Sequence, residues 1–181
     1  MDPRDVAEQA LQKLEHGALL GTGLHNAIWR QTPMVAVEVV CFKGFEGDDY
    51  VLLAQRGVDE AYAGKLHSLG TIARASDGSI EEIIGRLNES EFGGMMRLRF
   101  LPSHSPIWYG REERGMMFSL LFLGRIVGVP PKGDWYPVEG VISGEVEGVI
   151  PFHREVLIPA AYKMLGCLRF SLEDSMGGHP G

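Results

Sequence analysis

Two pairs of aromatic residues, Trp108-Tyr109 and Trp135-Tyr136, are the first candidates for binding a ligand. Flat aromatic side chains stack on nucleotide bases, and every base offers a face for such stacking. The structural alternative is that these side chains fill a core or cover its edge, which is the commoner use of aromatic residues. The pairs therefore indicate a nucleotide-type ligand only if other residues point to the same chemistry.

Two histidines lie where they could contact the phosphate groups of such a ligand. His67 falls in a short apolar segment ahead of a predicted helix, and His153 with Arg154 opens the last predicted helix. Backbone N–H groups at a helix start attract anions. Each histidine also has a structural interpretation, because histidine is often partly buried within a protein. Both interpretations stay open at this point.

The elements that would position these residues follow an N-terminal arm, residues 1–33. Asp2 can cap a helix whose first position is Pro3, where the missing proline N–H is not needed. Gly17 can end this helix in a left-handed conformation. Its apolar stripe consists of Val6, Ala10 and Leu14. Because a short isolated helix is marginal in water, we expect the arm to pack on its own domain or on a second subunit.

Apolar and β-branched segments predict a series of strands. They are Met34–Phe42, Tyr50–Arg56, Lys65–Ile72, Met95–Leu101, Gly115–Val127 and Trp135–Val138. The first two are joined by a turn-rich segment, so we expect them to form a hairpin. The segments Pro102–Arg114 and Gly140–Gly148 are predicted to be loops.

A helix with clear signals at both ends lies in the middle of the chain. Ser79 and Glu82 have the spacing of a capping box, and Gly93-Gly94 can end the helix. Its apolar residues repeat at helical spacing and should be buried together. They are Ile80, Ile83, Ile84 and Leu87.

A last helix is predicted over His153–Leu165, with Gly166 as its stop and a frayed tail over Ser171–Gly181. Pro159 must kink this helix or mark its start, because proline lacks the N–H that a helix interior needs. The order of strands and helices predicts an α+β fold in which helices cover the faces of a mixed sheet.

Composition narrows the class of function. The chain has 181 residues, with 17 Lys+Arg against 24 Asp+Glu and a formal net charge of −7. Binding along a nucleic-acid backbone needs clustered positive charge, so we expect no extended nucleic acid as a partner. The longest apolar run, Gly115–Val129, is too short to cross a membrane. Cys41 and Cys167 are too few for a disulfide scaffold, so we expect a reducing, cytoplasmic location.

Several segments together resemble a Nudix domain. They are Tyr50-Val-Leu-Leu-Ala-Gln-Arg56, Ala63-Gly-Lys-Leu-His-Ser-Leu-Gly70, Arg86 through Glu91-Phe-Gly93, Trp135-Tyr-Pro-Val138 and Ile150-Pro-Phe-His-Arg154. The resemblance covers residues 34–166 and implies a Nudix-type α/β/α sandwich with a mixed β-sheet. It leaves the N-terminal helical arm before this domain and a C-terminal tail, residues 167–181, after it.

The signature motif of that family is only partly present. With Arg86 placed on the family arginine, Glu91 matches, whereas Leu87 and Ser90 replace carboxylates. In active members these carboxylates hold divalent cations, and Mg²⁺ prefers such hard oxygen ligands. The resemblance therefore implies Arg86 and Glu91 as the catalytic residues and Glu91 as a metal ligand, in a weakened site.

The resemblance also suggests residues outside the motif. Some Nudix enzymes take a metal ligand from another loop, which makes Glu112 and Glu113 candidate replacements. The alternative is that this charge cluster is simply solvated. His67, Arg56 and Trp108 are the candidate ligand-binding residues.

Two functions follow from this resemblance. The first is non-catalytic binding of a nucleotide-type ligand or a protein partner, and the second is a divergent metal-dependent pyrophosphohydrolase acting on a nucleoside diphosphate derivative. We expect the first, because losing several carboxylates removes the largest electrostatic contribution to this chemistry. Only the second needs Mg²⁺ or Mn²⁺. A homodimer is a further expectation, since Nudix proteins are often dimers.

Overall fold

The computed structural model describes residues 32–45, 48–99, 107–112 and 115–176 of the chain. The helix and apolar stripe predicted for the N-terminal arm lie outside these ranges, so the arm stays a prediction. Within the described ranges, no helix combines the length and the apolar character needed to cross a membrane.

The described strands form one mixed sheet. Their bounds are β1 Met34–Phe45, β2 Asp48–Gln55, β3 Leu66–His67, β4 Leu69–Ile72, β5 Met96–Arg99, β6 Ile107–Glu112, β7 Gly115–Ile126 and β8 Asp134–Pro137. The predicted hairpin of β1 and β2 is confirmed, with Lys43 opposite Tyr50 in an antiparallel pair. The strand predicted over Lys65–Ile72 is divided at Ser68, whose backbone N–H is donated to the side chain of His153.

The centre of the sheet is a parallel pair, β1 and β7, and this pair separates at one end. The two strands stay in register from Met34 opposite Met117 to Cys41 opposite Gly124. Beyond that point β1 pairs with β2 instead, and β7 continues in its pairing with β5. The carboxyl ends of two neighbouring parallel strands therefore diverge, which opens a crevice in the sheet.

Gly124 permits the close approach of the two strands just before they part. A Cβ atom at this position would lie 2.7 Å from Cys41 Sγ and 2.7 Å from Val39 Cγ1. A larger residue would push the strands apart, because packed interiors have no space to absorb such an overlap.

Helices cover both faces of the sheet and confirm the predicted α+β sandwich. They are α1 Ile80–Phe92, α2 Val138–Ser143, a π-helical turn His153–Leu157 and α3 Ile158–Met176. One core lies under α1 and includes Val39, Cys41, Leu52, Leu69, Leu87 and Phe92. The other lies under the π-helical turn and α3 and includes Val40, Leu53, Leu123, Val138, Leu157 and Ile158.

The ends of α1 are as the sequence predicts. The Ser79 hydroxyl accepts a hydrogen bond from the Glu82 backbone N–H at 3.3 Å, and Gly93 ends the helix with φ 57°. The Glu82 carboxylate accepts from the N–H of Gly78, one residue earlier than a standard capping box requires. Leu87 is fully buried and Ile83 is 8% exposed, so the predicted buried face is confirmed at these two positions.

Two segments predicted as loops contain regular structure. Within Pro102–Arg114, β6 pairs antiparallel with the first half of β7. The prolines and serines ahead of it suggest a loop, and the partner strand that stabilises β6 lies beyond the predicted loop. Within Gly140–Gly148, the end of α2 buries Val141 completely against the core. A helix of six residues is too short for its periodicity to be recognised.

Gly166 does not end the last helix, contrary to the prediction. The helix continues to Met176 because Leu165 and Leu168, on either side of the glycine, pack against the core. That packing outweighs the cost of an interior glycine, about 0.5–1 kcal/mol. Pro159 is the second residue of α3, and the chain is already helical ahead of it, so it does not mark the helix start that the sequence offered as one alternative. The preceding turn is π-helical, with the Ile158 N–H donated to the His153 carbonyl.

Candidate functional site

The crevice between the diverging ends of β1 and β7 contains a cavity. Its volume is about 750 Å³, within the range that small-molecule sites occupy. Open α/β sheets bind their ligands at the carboxyl ends of parallel strands where the topology switches, and this crevice has that position. It is lined by Phe42, Lys43, Gly44, Leu123, Gly124, Arg125, Ile126, Gly128, Val129, Pro130, Gly133, Asp134, Trp135 and Leu165.

Two cations and one tryptophan give this crevice its chemical character. The Lys43 Nζ atom lies 4.5 Å from the ring centroid of Trp135 and 5.8 Å from that of Tyr50. Arg125 stands on β7 at the opposite wall and is exposed. Among the described residues, neither cation forms an ion pair with a carboxylate. Among the described residues that line the crevice, Asp134 is the only acidic one.

Glu91, the one signature carboxylate that the sequence retains, is already paired. Its Oε2 atom lies 2.8 Å from the Nζ atom of Lys132, which belongs to the segment between β7 and β8. Lys132 lines a second cavity of about 580 Å³, which shares Gly133 and Asp134 with the crevice.

The described residues do not fit a divalent cation at this position. Leu87 is fully buried in the core and Ser90 carries no charge, so neither adds an anionic ligand to Glu91. Within the described ranges, no group of three His, Cys, Asp or Glu residues is placed to hold a metal ion. The Glu91 carboxylate contacts the ammonium group of Lys132, and within the described ranges no further carboxylate joins it to bind a metal ion.

Arg86, predicted as catalytic, anchors the segment that leads into α1. Its guanidinium donates to Asp77 Oδ2 at 2.7 Å and Oδ1 at 3.2 Å, to Thr71 Oγ1 at 2.9 Å and to the Ile72 carbonyl at 3.1 Å. The hydrogen bonds from Arg86, and the backbone N–H of Arg74, hold the pKa of the Asp77 carboxyl below its ordinary value, although burial opposes them. The geometry supports a structural contribution of Arg86.

Arg56 lies outside both cavities. Its Nη1 atom donates to Glu60 Oε2 at 3.2 Å, four residues later in the chain. Its side chain is only 17% exposed, and its Nε atom is buried without a hydrogen-bond partner. The predicted contact of Arg56 with a ligand stays a prediction.

The two histidines singled out in the sequence lie together beneath the surface. His153 is 4% exposed, and its Nδ1 atom accepts from the Ser68 backbone N–H at 3.2 Å and lies 2.8 Å from Ser68 Oγ. The His67 ring lies edge-on to that of His153, with 5.9 Å between centroids. His67 is 9% exposed and lines neither cavity. This group joins the β3–β4 segment to the π-helical turn.

Two of the remaining predicted site residues, Trp108 and Glu112, belong to β6. The backbone of Trp108 is opposite Ser119, and that of Glu112 is opposite Gly115. Gly115 begins β7, whereas Arg125 and the crevice are at its other end, about 33 Å away at ~3.3 Å per residue. Glu113 lies outside the described residues. The backbone of Glu112 thus lies at the end of β7 that is remote from the crevice, whereas the Glu91 carboxylate pairs with Lys132.

Lys43, Arg125 and Lys132 were not among the residues predicted from the sequence. Each is an isolated cation in its own segment, with no motif around it. The interruption of the apolar run Gly115–Val129 by Arg125 was the one available signal, since a charge inside an apolar strand requires a special position.

Comparison with known proteins gives matches at the level of structure. No family model and no curated protein matches the sequence. The NUDIX domain of Shewanella oneidensis NrtR, complexed with ADP ribose, matches with a TM-score of 0.54 and 13% identity, over 80% of this chain and 99% of that one. The MutT protein from Methanosarcina mazei matches with a TM-score of 0.57 and 15% identity, over 74% and 96%.

A third match is the Shewanella oneidensis NrtR complexed with a 27mer DNA, with a TM-score of 0.53 and 18% identity. This match covers 72% of the present chain and 61% of that protein. Together these likenesses confirm the architecture that the sequence resemblance implied.

Proposed function

We propose that this chain, which has the Nudix fold, binds a nucleotide-type ligand in the crevice between β1 and β7 and does not hydrolyse it. The observation that supports the proposal is the combination of Trp135, Lys43 and Arg125 around one cavity of about 750 Å³. An aromatic face suits a base, and two cations that have no carboxylate partner among the described residues suit a diphosphate. A nucleoside diphosphate linked to a second group, such as ADP-ribose, has both features.

The absence of hydrolysis is supported by the pairing of Glu91 with Lys132 at 2.8 Å. When bound in a pyrophosphohydrolase, Mg²⁺ or Mn²⁺ activates water and neutralises charge on the phosphates. In this chain Glu91 would be the retained ligand, yet it already neutralises an ammonium group. The neighbouring α1 position, Leu87, is fully buried and adds no carboxylate.

The proposal is tested by calorimetric titration of the full chain with ADP-ribose, alongside a hydrolysis assay with Mg²⁺ and with Mn²⁺. The assay uses a panel of nucleoside diphosphate derivatives. We expect saturable binding and turnover near background. Turnover of about 1 s⁻¹ or faster, abolished by Glu91→Gln, would show instead the metal-dependent pyrophosphohydrolase.

A matched pair of variants tests whether the base of the ligand stacks on Trp135. Trp135→Leu keeps an apolar side chain against the core but removes the stacking surface, and we expect it to weaken ADP-ribose binding at least ~10-fold. Trp108→Leu changes the other predicted tryptophan, whose backbone lies toward the far end of β7, and should leave binding unchanged. Thermal melts of both variants separate lost binding from lost folding.

A failure to bind nucleotides would favour a different function. If no nucleoside diphosphate derivative binds, the proposed ligand class is wrong, and a protein partner becomes the working hypothesis for this face. The cytoplasmic location and the homodimer stay predictions, and neither is needed for ligand binding in the crevice.

A further inference from the structure

We infer that side-chain cations of this chain, rather than a metal bridge, hold the phosphate groups of the ligand, so that anion binding in the crevice is independent of divalent cations. The inference rests on the proposed function, since it specifies how the same cavity recognises its ligand. It is supported by the positions of Lys43, Arg125 and Arg97 and by the ion pair between Glu91 and Lys132.

The first observation is an arrangement of like charges. Arg125 on β7 lies directly opposite Arg97 on β5 in the antiparallel register. Side chains in such a pair stand on the same face within about 5 Å at their Cβ atoms, and like charges there destabilise the sheet. The Arg97 Nη1 atom donates to the carbonyls of Gly94 at 2.8 Å and Met96 at 3.0 Å, and in the described part of the chain no carboxylate forms an ion pair with it.

The second observation is the charge balance of the crevice itself. Lys43 and Arg125 both line it, at the ends of two different strands, and Asp134 is the only acidic residue in the described part of its lining. The whole chain has a net charge of −7, so this local excess of positive charge runs against the overall composition. A diphosphate carries the negative charge that would offset both cations, and arginine offers it paired N–H donors.

The third observation is the ion pair at Glu91, the carboxylate that the family resemblance implies as a metal ligand. Lys132 Nζ lies 2.8 Å from Glu91 Oε2 and supplies the positive charge at that carboxylate. The Glu91 side chain is 28% exposed, and a metal ion that approaches this carboxylate meets the positive charge of the lysine. Because Glu91 already pairs with Lys132, we expect the phosphate groups to bind Lys43 and Arg125 of the crevice and not a metal ion at Glu91.

Inorganic pyrophosphate is the appropriate probe, because it carries the two phosphate groups without a base or a sugar. We expect the full chain to bind it in buffer with EDTA. Mg²⁺ should not tighten this binding, since it forms its own complex with pyrophosphate in solution, and binding should weaken as the salt concentration rises. Arg125→Gln and Lys43→Met should each raise the Kd at least ~10-fold. Lys65→Gln is the matched control, since Lys65 is exposed and lines neither cavity.

The outcomes separate this inference from the proposed function. Binding of pyrophosphate and ADP-ribose only with Mg²⁺, or equal effects of Arg125→Gln and Lys65→Gln, would overturn the inference and leave ligand binding intact. Binding of pyrophosphate in EDTA without binding of ADP-ribose would keep the anion site and reject the nucleotide. Binding of neither would reject both. If Lys43→Met lowers the thermal midpoint, the surface variant Arg125→Gln still decides the question.

Discussion

Removing the Arg86 side chain distinguishes a structural contribution of this residue from the catalytic one that the sequence predicted. Arg86→Ala deletes four hydrogen bonds, two of them to the Asp77 carboxylate. That carboxylate is only 9% exposed, so solvent replaces the lost donors poorly. Breaking a buried pair costs about 3–5 kcal/mol.

Two features reduce that magnitude here. The Arg86 side chain is 22% exposed, which weakens its charge through solvent screening, and the Arg74 N–H still donates to Asp77 Oδ2 at 2.6 Å. We therefore expect Arg86→Ala to lower the free energy of unfolding by about 2–4 kcal/mol. Urea denaturation followed by circular dichroism measures this value.

The matched control is another arginine in an ion pair of nearly the same length. Arg154 Nη2 lies 2.8 Å from Glu155 Oε1, but the two side chains are 34% and 61% exposed. Exposed pairs contribute about 0–1 kcal/mol, so Arg154→Ala should change the unfolding free energy by less than ~1 kcal/mol. Equal effects of the two variants would refute the argument from burial.

The same pair has a pH signature. Because the pKa of Asp77 is lowered in the folded state, its contribution to stability is present above the ordinary pKa of about 4 and is lost as the pH falls through the folded value. Asp77→Asn should therefore flatten the stability profile at acidic pH. A loss below ~1 kcal/mol for Arg86→Ala, together with abolished ADP-ribose binding, would restore Arg86 as a site residue.

Three further predictions concern the core, the thiols and the arm. Leu87→Ala should lower the free energy of unfolding, measured by urea denaturation, by about 2–4 kcal/mol, since Leu87 is fully buried. Leu87→Glu with Ser90→Glu should destabilise the fold further and create no metal site, because a buried carboxylate is costly. A stable double variant that binds Mn²⁺ would contradict this expectation. Burial raises the pKa of the Cys41 thiol to about 12, so a disulfide reagent should modify only the exposed Cys167 in the folded chain and both thiols in urea; rapid modification of both without urea would contradict the burial. Deleting residues 1–33 should lower the thermal midpoint or change the mass in solution, and no change in either measurement would reject the packed arm.

Local signals in the sequence were sufficient for individual elements. The limits of α1 follow from Ser79 and Gly93, because capping needs only groups within one helical turn. The buried state of Leu87 follows from its place in a repeat of 3.6 residues. Where long-range contacts outweigh local preference, as for β6 beside β7 and for Gly166 inside α3, the prediction from sequence was wrong.

The candidate site depended on contacts between distant segments. Lys43 and Arg125 become neighbours of one crevice only because β1 and β7 run parallel and then separate after Cys41 and Gly124. Likewise, Glu91 is the retained signature carboxylate in the sequence, but its pairing with Lys132 requires the segment after β7 to reach the end of α1. The sequence by itself determined the limits of α1 and the missing carboxylates, since both are properties of residue type and short spacing. Only the tertiary structure decided which charges meet, because strand pairing brings together residues that no local pattern connects.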